Sequence, residues 1–223
     1  KEVLSLSHPE LLAEQEKMVK KITSELKDFD NLYYEVCNEP YFGDTIALRQ
    51  WEEHMTAIVA DAEKDFKYGH LISNNVQNFK KYLPEPRKNV SIYNFHYAEP
   101  PVTVPLNYHL NFPLGDNETG FRGIRGDIYR IEAWRFILEG GALFNHLDYS
   151  FTTDNEDGTY EVQKGEPGGG SRELRNQFKL LAGFMNSLDF INMKPVTDAT
   201  VKPDVAGTAV NGLAEEGEVW ALY

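Results

Sequence analysis

The sequence predicts an α/β fold, a partial (β/α)8 TIM barrel, on three observations. Short apolar runs alternate with amphipathic helical segments, and that alternation pairs strands in parallel through right-handed crossovers. The residues with chemistry to offer fall at the C-terminal ends of those runs, where such a barrel keeps its active site. Five strands and about four helices fill residues 9–195. That is too few to close a ring of eight, which takes about 250 residues.

Taken in order, residues 9–27 set Leu11, Leu12, Met18, Val19, Ile22 and Leu26 on one helical stripe. Ser7 is the expected N-cap, and Pro9 sits in the first turn, where its missing N–H costs nothing. Residues 32–39 form a strand that Pro40 ends, because proline cannot donate to a ladder. Leu48, Trp51, Met55, Ile58, Val59 and Ala62 then recur at helical spacing over 46–66. Short strands follow at 70–74 and 90–97, with Pro84 and Pro86 in the loop between them and Pro100 and Pro101 closing the second. Another strand covers 110–118.

A helix opens at Gly126 or Asp127, carries Ile128, Ile131, Trp134, Ile137 and Leu138, and stops at Gly140-Gly141. The next strand is 142–149. Residues 152–170 are polar and end in three glycines, which predicts a flexible loop too long to be a mere connector. Ser171 caps a last helix with Leu174, Phe178, Leu181 and Phe184 on one side. From 196 on, short Val/Gly/Ala-rich pieces predict a β module, so the expected division is 1–195 and 196–223.

Composition narrows the partners. The formal net charge is -13, which repels nucleic acid phosphates and anionic membranes and leaves a neutral polysaccharide as a fitting ligand. No apolar run approaches the roughly 18 residues of a membrane span. Cys37 is the single cysteine, so no internal disulfide forms.

The stretch from Leu32 to Pro40 organises the rest. Side chains alternate along a strand, so Tyr33, Glu35, Cys37 and Glu39 share one face. Glu39 ends that face beside Asn38, an amide able to hydrogen-bond a ligand hydroxyl, an arrangement suited to acid/base work on a sugar. On the residues alone, a strand that simply ends in an exposed glutamate is an equal reading. Glu35 lies deeper, where a lone charge is costly, and a structural ion pair with a residue from the missing half of the barrel is expected there. Cys37 reads as core rather than nucleophile, since no histidine is placed to activate it. Trp134 falls on the apolar stripe of its helix and reads as packing. His96, His109 and His146 lack metal-ligand spacing, so neither a metal nor another cofactor is expected.

Asn38-Glu39-Pro40 at one strand end and Glu118 at a later one resemble the clan A retaining glycoside hydrolases, the cellulase-like (β/α)8 enzymes. The interval between them holds two further strands, as strands five and six of that clan require. Ile131–Ala142 and Asn145–Phe151 resemble helix seven and strand eight of bacterial members. The resemblance covers residues 9–195 and implies that strands one to three precede Lys1, so the upstream part of the barrel becomes a partner. It also implies secretion or a periplasmic location.

By that resemblance Glu118 is the nucleophile and Glu39 the acid/base, with carboxyls about 5–5.5 Å apart. Tyr97 donates near Glu118, and Asn38 hydrogen-bonds the sugar 2-hydroxyl. His96 either orients Glu118, touches substrate or is a hydrogen-bonded core residue. Asp148 and Tyr149 contact sugar, the ring of Tyr149 offering an apolar stacking face. Two other classes stand beside this one: a non-catalytic carbohydrate-binding barrel, and a metal-dependent α/β hydrolase using Asp116, Glu118 and His96. Residues 1–223 alone are expected to be inactive and aggregation-prone, because unpaired strand edges and an open core remain.

Overall fold

Helical periodicity decides the long elements. A computed structural model of the protein describes residues 2–40, 45–83, 85–99, 101–196 and 210–223. Pro84, Pro100 and residues 197–209 of the expected β module lie outside the described residues. The chain divides into two units, Lys1–His96 and Tyr97–Tyr223.

In the first unit the periodic stretches become α1, Pro9–Leu26, and α2, Ile46–Glu63. His8, not Ser7, takes the N-cap position of α1, with no capping side chain, while Pro9 occupies the first turn as expected. Thr45 caps α2, its side chain accepting the Leu48 amide. Leu48, Trp51 and Met55 form a buried cluster against Leu12 and Val19 of α1. Trp51 Nε1 also donates to Gln15 Oε1 at 3.0 Å, so the indole nitrogen is satisfied as its ring is buried.

Beside these helices run β1 (Tyr34–Glu35), β2 (Ile72–Asn75) and β3 (Ile92–His96), all parallel. Every residue of β2 and β3 is buried, the mark of a sheet covered on both faces. The register places Tyr34 opposite Ile72 and Asn75 opposite Asn94, so all three strands point their C-terminal ends the same way.

The second unit opens with a short helix that the sequence did not signal, α3 (Thr103–Asn107). A 3-10 turn follows, and Asn111 takes φ 57° before the chain can extend. The strand expected from 110 therefore begins late, as β4, Leu114–Glu118. It pairs in parallel with β5, Leu143–Phe144, with α4 (Gly126–Leu138) between them in sequence.

Gly140 ends α4 with φ +99°. A Cβ there would lie 2.9 Å from Pro195 Cγ as well, so glycine serves both backbone and packing. Ser171 caps α5, Arg172–Asn186, as expected. The antiparallel strands β6 (Lys194–Pro195), β7 (Gly212–Glu215) and β8 (Val219–Leu222) follow. Leu213 and Ala221 of this sheet share a core with Leu138 and Met193. Trp134 does pack, stacked on Tyr223 with ring centroids 5.5 Å apart.

The glycine-ended loop is anchored rather than free. Arg175 donates to Gly158 O at 2.9 Å, and the Tyr149 and Tyr160 amides donate to Gly169 and Ser150 carbonyls.

Candidate active site

Glu39 is held by the strand next to its own. Its amide donates to Asn75 Oδ1 at 2.7 Å, drawing the backbone out of the ladder into the left-handed region at φ 47°. The ladder of β1 consequently stops at Glu35, and the regular alternation expected through residue 39 breaks. A left-handed conformation at a non-glycine residue costs of order 1–3 kcal/mol and persists only where the surroundings impose it.

The Glu39 side chain is 11% exposed. Its Oε1 accepts from Asn78 Nδ2 at 2.8 Å and faces Nδ1 of the buried His96 at 3.3 Å. His96 is thus buried and bonded to Glu39; the sequence reading left open orienting Glu118, touching substrate, or a hydrogen-bonded core position. Asn38 beside it is exposed.

Glu35 stays within its own sheet. Oε2 accepts from Ser73 Oγ at 2.8 Å and from Asn94 Nδ2 at 2.7 Å, neutral donors from β2 and β3, while the ion-pair partner expected from the rest of the barrel lies outside this chain. Cys37 is inert, because burial, reinforced by the charges of Glu52 and Glu35, pushes its thiol up to about 12.

In the second unit Glu118 ends β4. The Tyr97 amide donates to Glu118 O at 2.9 Å, and the Tyr97 phenol donates to Glu118 Oε1. Tyr97 also takes a left-handed φ of 54°, and its ring meets Phe121 edge-on, with centroids 5.3 Å apart. Tyr149 joins them electrostatically. Burial raises its phenol pKa first, followed by the charges of Glu118 and Glu166. Gly168 packs flat on that ring, where a Cβ would come within 2.6 Å of Cε2.

Asp148 is bound elsewhere. Its Oδ1 accepts from Ser150 N and Oγ at 2.9 and 2.6 Å, and its Oδ2 from Arg175 Nη1 at 2.7 Å. Burial pushes the Asp148 carboxyl up, but the Ser150 hydroxyl and Arg175 outweigh it and hold the group below its ordinary value. Asp116 is fully buried, and burial with the Glu132 charge holds its carboxyl well above the ordinary range.

His146 holds the second unit together. Its ring stacks near Tyr129 at 4.1 Å, with Thr119 Oγ1 at 2.9 Å from Nδ1 and Gly169 O at 3.3 Å from Nε2. Burial lowers its pKa, so it stays neutral there.

Glu39 is thus bonded to His96 and Glu118 to Tyr97, while Asp148 belongs to the loop that Arg175 anchors. Sequence reasoning missed Asn75 and Asn78. A signal existed, since both lie at or just past a strand's C-terminal end, the position that singled out Glu39.

No protein-family model matches the sequence, and no curated protein matches it. Solved structures do. A glycoside hydrolase family 5 protein from Bacteroides vulgatus ATCC 8482 superposes with TM-score 0.63 at 12% identity, over 91% of this chain and 51% of that one. A second structure described as a glycoside hydrolase gives TM-score 0.60 at 12% identity, over 91% and 53%. A β-D-glucuronidase of Dictyoglomus thermophilum gives 0.51 at 12% identity, over 76% and 35%. The chain spans about half the length of the first two. Its fold is that of part of a (β/α)8 barrel, followed by an antiparallel sheet.

Proposed function

We propose that this chain carries the two carboxylates of a retaining O-glycoside hydrolase acting on a poly- or oligosaccharide. One observation above the others supports the reading: Glu118 ends a parallel strand with its Oε1 held by the Tyr97 phenol. That holds the carboxylate in one orientation at the strand end. In the first step a Glu118 carboxylate oxygen bonds to the anomeric carbon while Glu39 gives its proton to the departing glycosidic oxygen. In the second, Glu39 takes a proton from water, whose oxygen displaces Glu118 and regenerates both groups.

Asn78 and His96 fix Glu39 from one side, and a carboxyl so positioned needs no reorganisation to reach the leaving oxygen. Tyr149 offers its ring to a sugar, and Asn38 its amide to the 2-hydroxyl. The activity belongs to the barrel completed by the strands this chain does not contain. With a net charge of -13, a neutral saccharide is the fitting substrate class. Proton NMR of the first-formed anomer, in the full-length protein with a β-linked oligosaccharide, tests the mechanism. Release of the β-anomer is expected; release of the α-anomer would replace it with inversion.

A further inference from the structure

We propose that Asn75 is a positioning residue for acid/base catalysis: it keeps Glu39 in the one backbone conformation that aims its carboxyl at the leaving oxygen. This rests on the reading of Glu39 as the acid/base. Asn75 acts through the Glu39 backbone amide.

Glu39 sits where its own sequence would not put it. A left-handed φ of 47° is uncommon for a residue with a Cβ, and the proline that follows drives its neighbour toward extended backbone instead. Nothing within Asn38-Glu39-Pro40 favours the turn, so contacts from outside must hold it. Asn75 Oδ1 supplies one, accepting the Glu39 amide at 2.7 Å.

Asn75 is itself fixed. It ends β2, is 2% exposed, and its Nδ2 donates to the Asn94 carbonyl of β3 at 3.3 Å. That bond settles which end of the amide faces Glu39, because the nitrogen meets a carbonyl and the oxygen meets an N–H. Without the acceptor, Glu39 relaxes toward the extended backbone that Pro40 favours. Its Cα–Cβ bond then turns away from Asn78 and His96, the partners of its carboxyl. A displacement of about 1 Å at an acid costs on the order of 100-fold in rate. The sheet does not depend on Asn75 in the same way, since the Val76 amide serves the Asn94 carbonyl at 2.7 Å.

The test uses the full-length protein, its Asn75→Ala, Asn75→Leu and Glu39→Ala variants, and the phenyl and dinitrophenyl β-glycosides of cellobiose, mannobiose and xylobiose. Phenolate is a poor leaving group that needs the acid; dinitrophenolate departs without it. On the sugar that is cleaved, Asn75→Ala is expected to lower kcat/KM for the phenyl glycoside by about tenfold or more, a share of the roughly 100- to 10,000-fold that an acid supplies. For the dinitrophenyl glycoside the change should stay within about twofold by the same reasoning. Azide attacks the glycosyl-enzyme without a base, so it should raise kcat of Asn75→Ala on that glycoside and leave the wild type unchanged. Asn75→Leu keeps the branched shape of the side chain, should give the same pattern, and is read alone if Asn75→Ala does not fold. Equal losses on both leaving groups, or none, while Glu39→Ala shows the split would overturn the role of Asn75 and leave Glu39 as the acid/base. If Glu39→Ala shows no split, or the wild type cleaves no glycoside, the acid/base reading fails and the role of Asn75 falls with it.

Discussion

Tyr97 holds Glu118 at two points, its amide on the Glu118 carbonyl at 2.9 Å and its phenol on the carboxylate. The backbone bond fixes where the residue sits, and the phenol fixes how its carboxylate is turned. Removing the hydroxyl alone separates these effects. Tyr97→Phe should keep the fold and lower kcat by about 10- to 100-fold, the value of a hydrogen bond to a charged group of about 1.5–3 kcal/mol. KM should change little. Steady-state kinetics of the full-length protein check this, with a thermal melt to confirm folding.

The two carboxylates have different duties, and azide distinguishes them. Glu118→Ala removes the nucleophile, so turnover should vanish and added azide should restore it with an inverted glycosyl azide. Glu39→Ala should slow deglycosylation, and azide should then yield retained product. Normal activity in either variant would strip that residue of its role.

Buried acids give the stability a definite pH dependence. Burial first, then the Glu99 charge, raises Glu132 to about 7 against the pull of Arg122. Burial raises Glu139 to about 7 likewise, although Asn211 donates to it. The unfolded chain releases these protons near 4.5, and the folded protein keeps them until about 7. Between those values the folded state binds more protons, so stability falls as pH rises through the window. Glu132→Gln should therefore raise Tm by several degrees at pH 8 and leave it unchanged at pH 4.5. Calorimetry at the two pH values reads the difference.

Asp148 is predicted to matter for stability rather than turnover. Asp148→Asn breaks the contact to Arg175 while keeping side-chain shape, and should cost about 1–2 kcal/mol, since the pair is partly exposed. The carboxyl sits below its ordinary value, so its stabilisation is present above the unfolded value of 3.8 and fades as pH falls below it. The deficit should shrink in the same way at low pH, and kcat/KM should stay within about twofold because no reacting group is touched.

Periodicity made the helices legible: α1 and α2 begin where the apolar stripes begin, and α5 begins after its serine cap. It also placed Glu118 at a strand end. What it could not show is the local geometry there. Nothing in Asn38-Glu39-Pro40 signals that the distant Asn75 will take the Glu39 amide and turn it left-handed, so the strand was read too long. Long-range contacts are invisible to a local pattern. The same limit hid His96 on Glu39 and Arg175 on Asp148. Similarly, α3 lies in a proline-flanked stretch without helical periodicity, and it delays β4.

The central claim is that Glu118 forms the covalent bond to sugar, and trapping tests it most directly. The full-length protein would be incubated with the 2-deoxy-2-fluoro glycosyl fluoride of its preferred sugar, digested, and its peptides sequenced by mass spectrometry. The account predicts time-dependent inactivation with one fluoro-sugar on the peptide containing Glu118, and no label in Glu118→Gln. A label on another carboxylate, or full turnover of the reagent's parent sugar by Glu118→Gln, would contradict it.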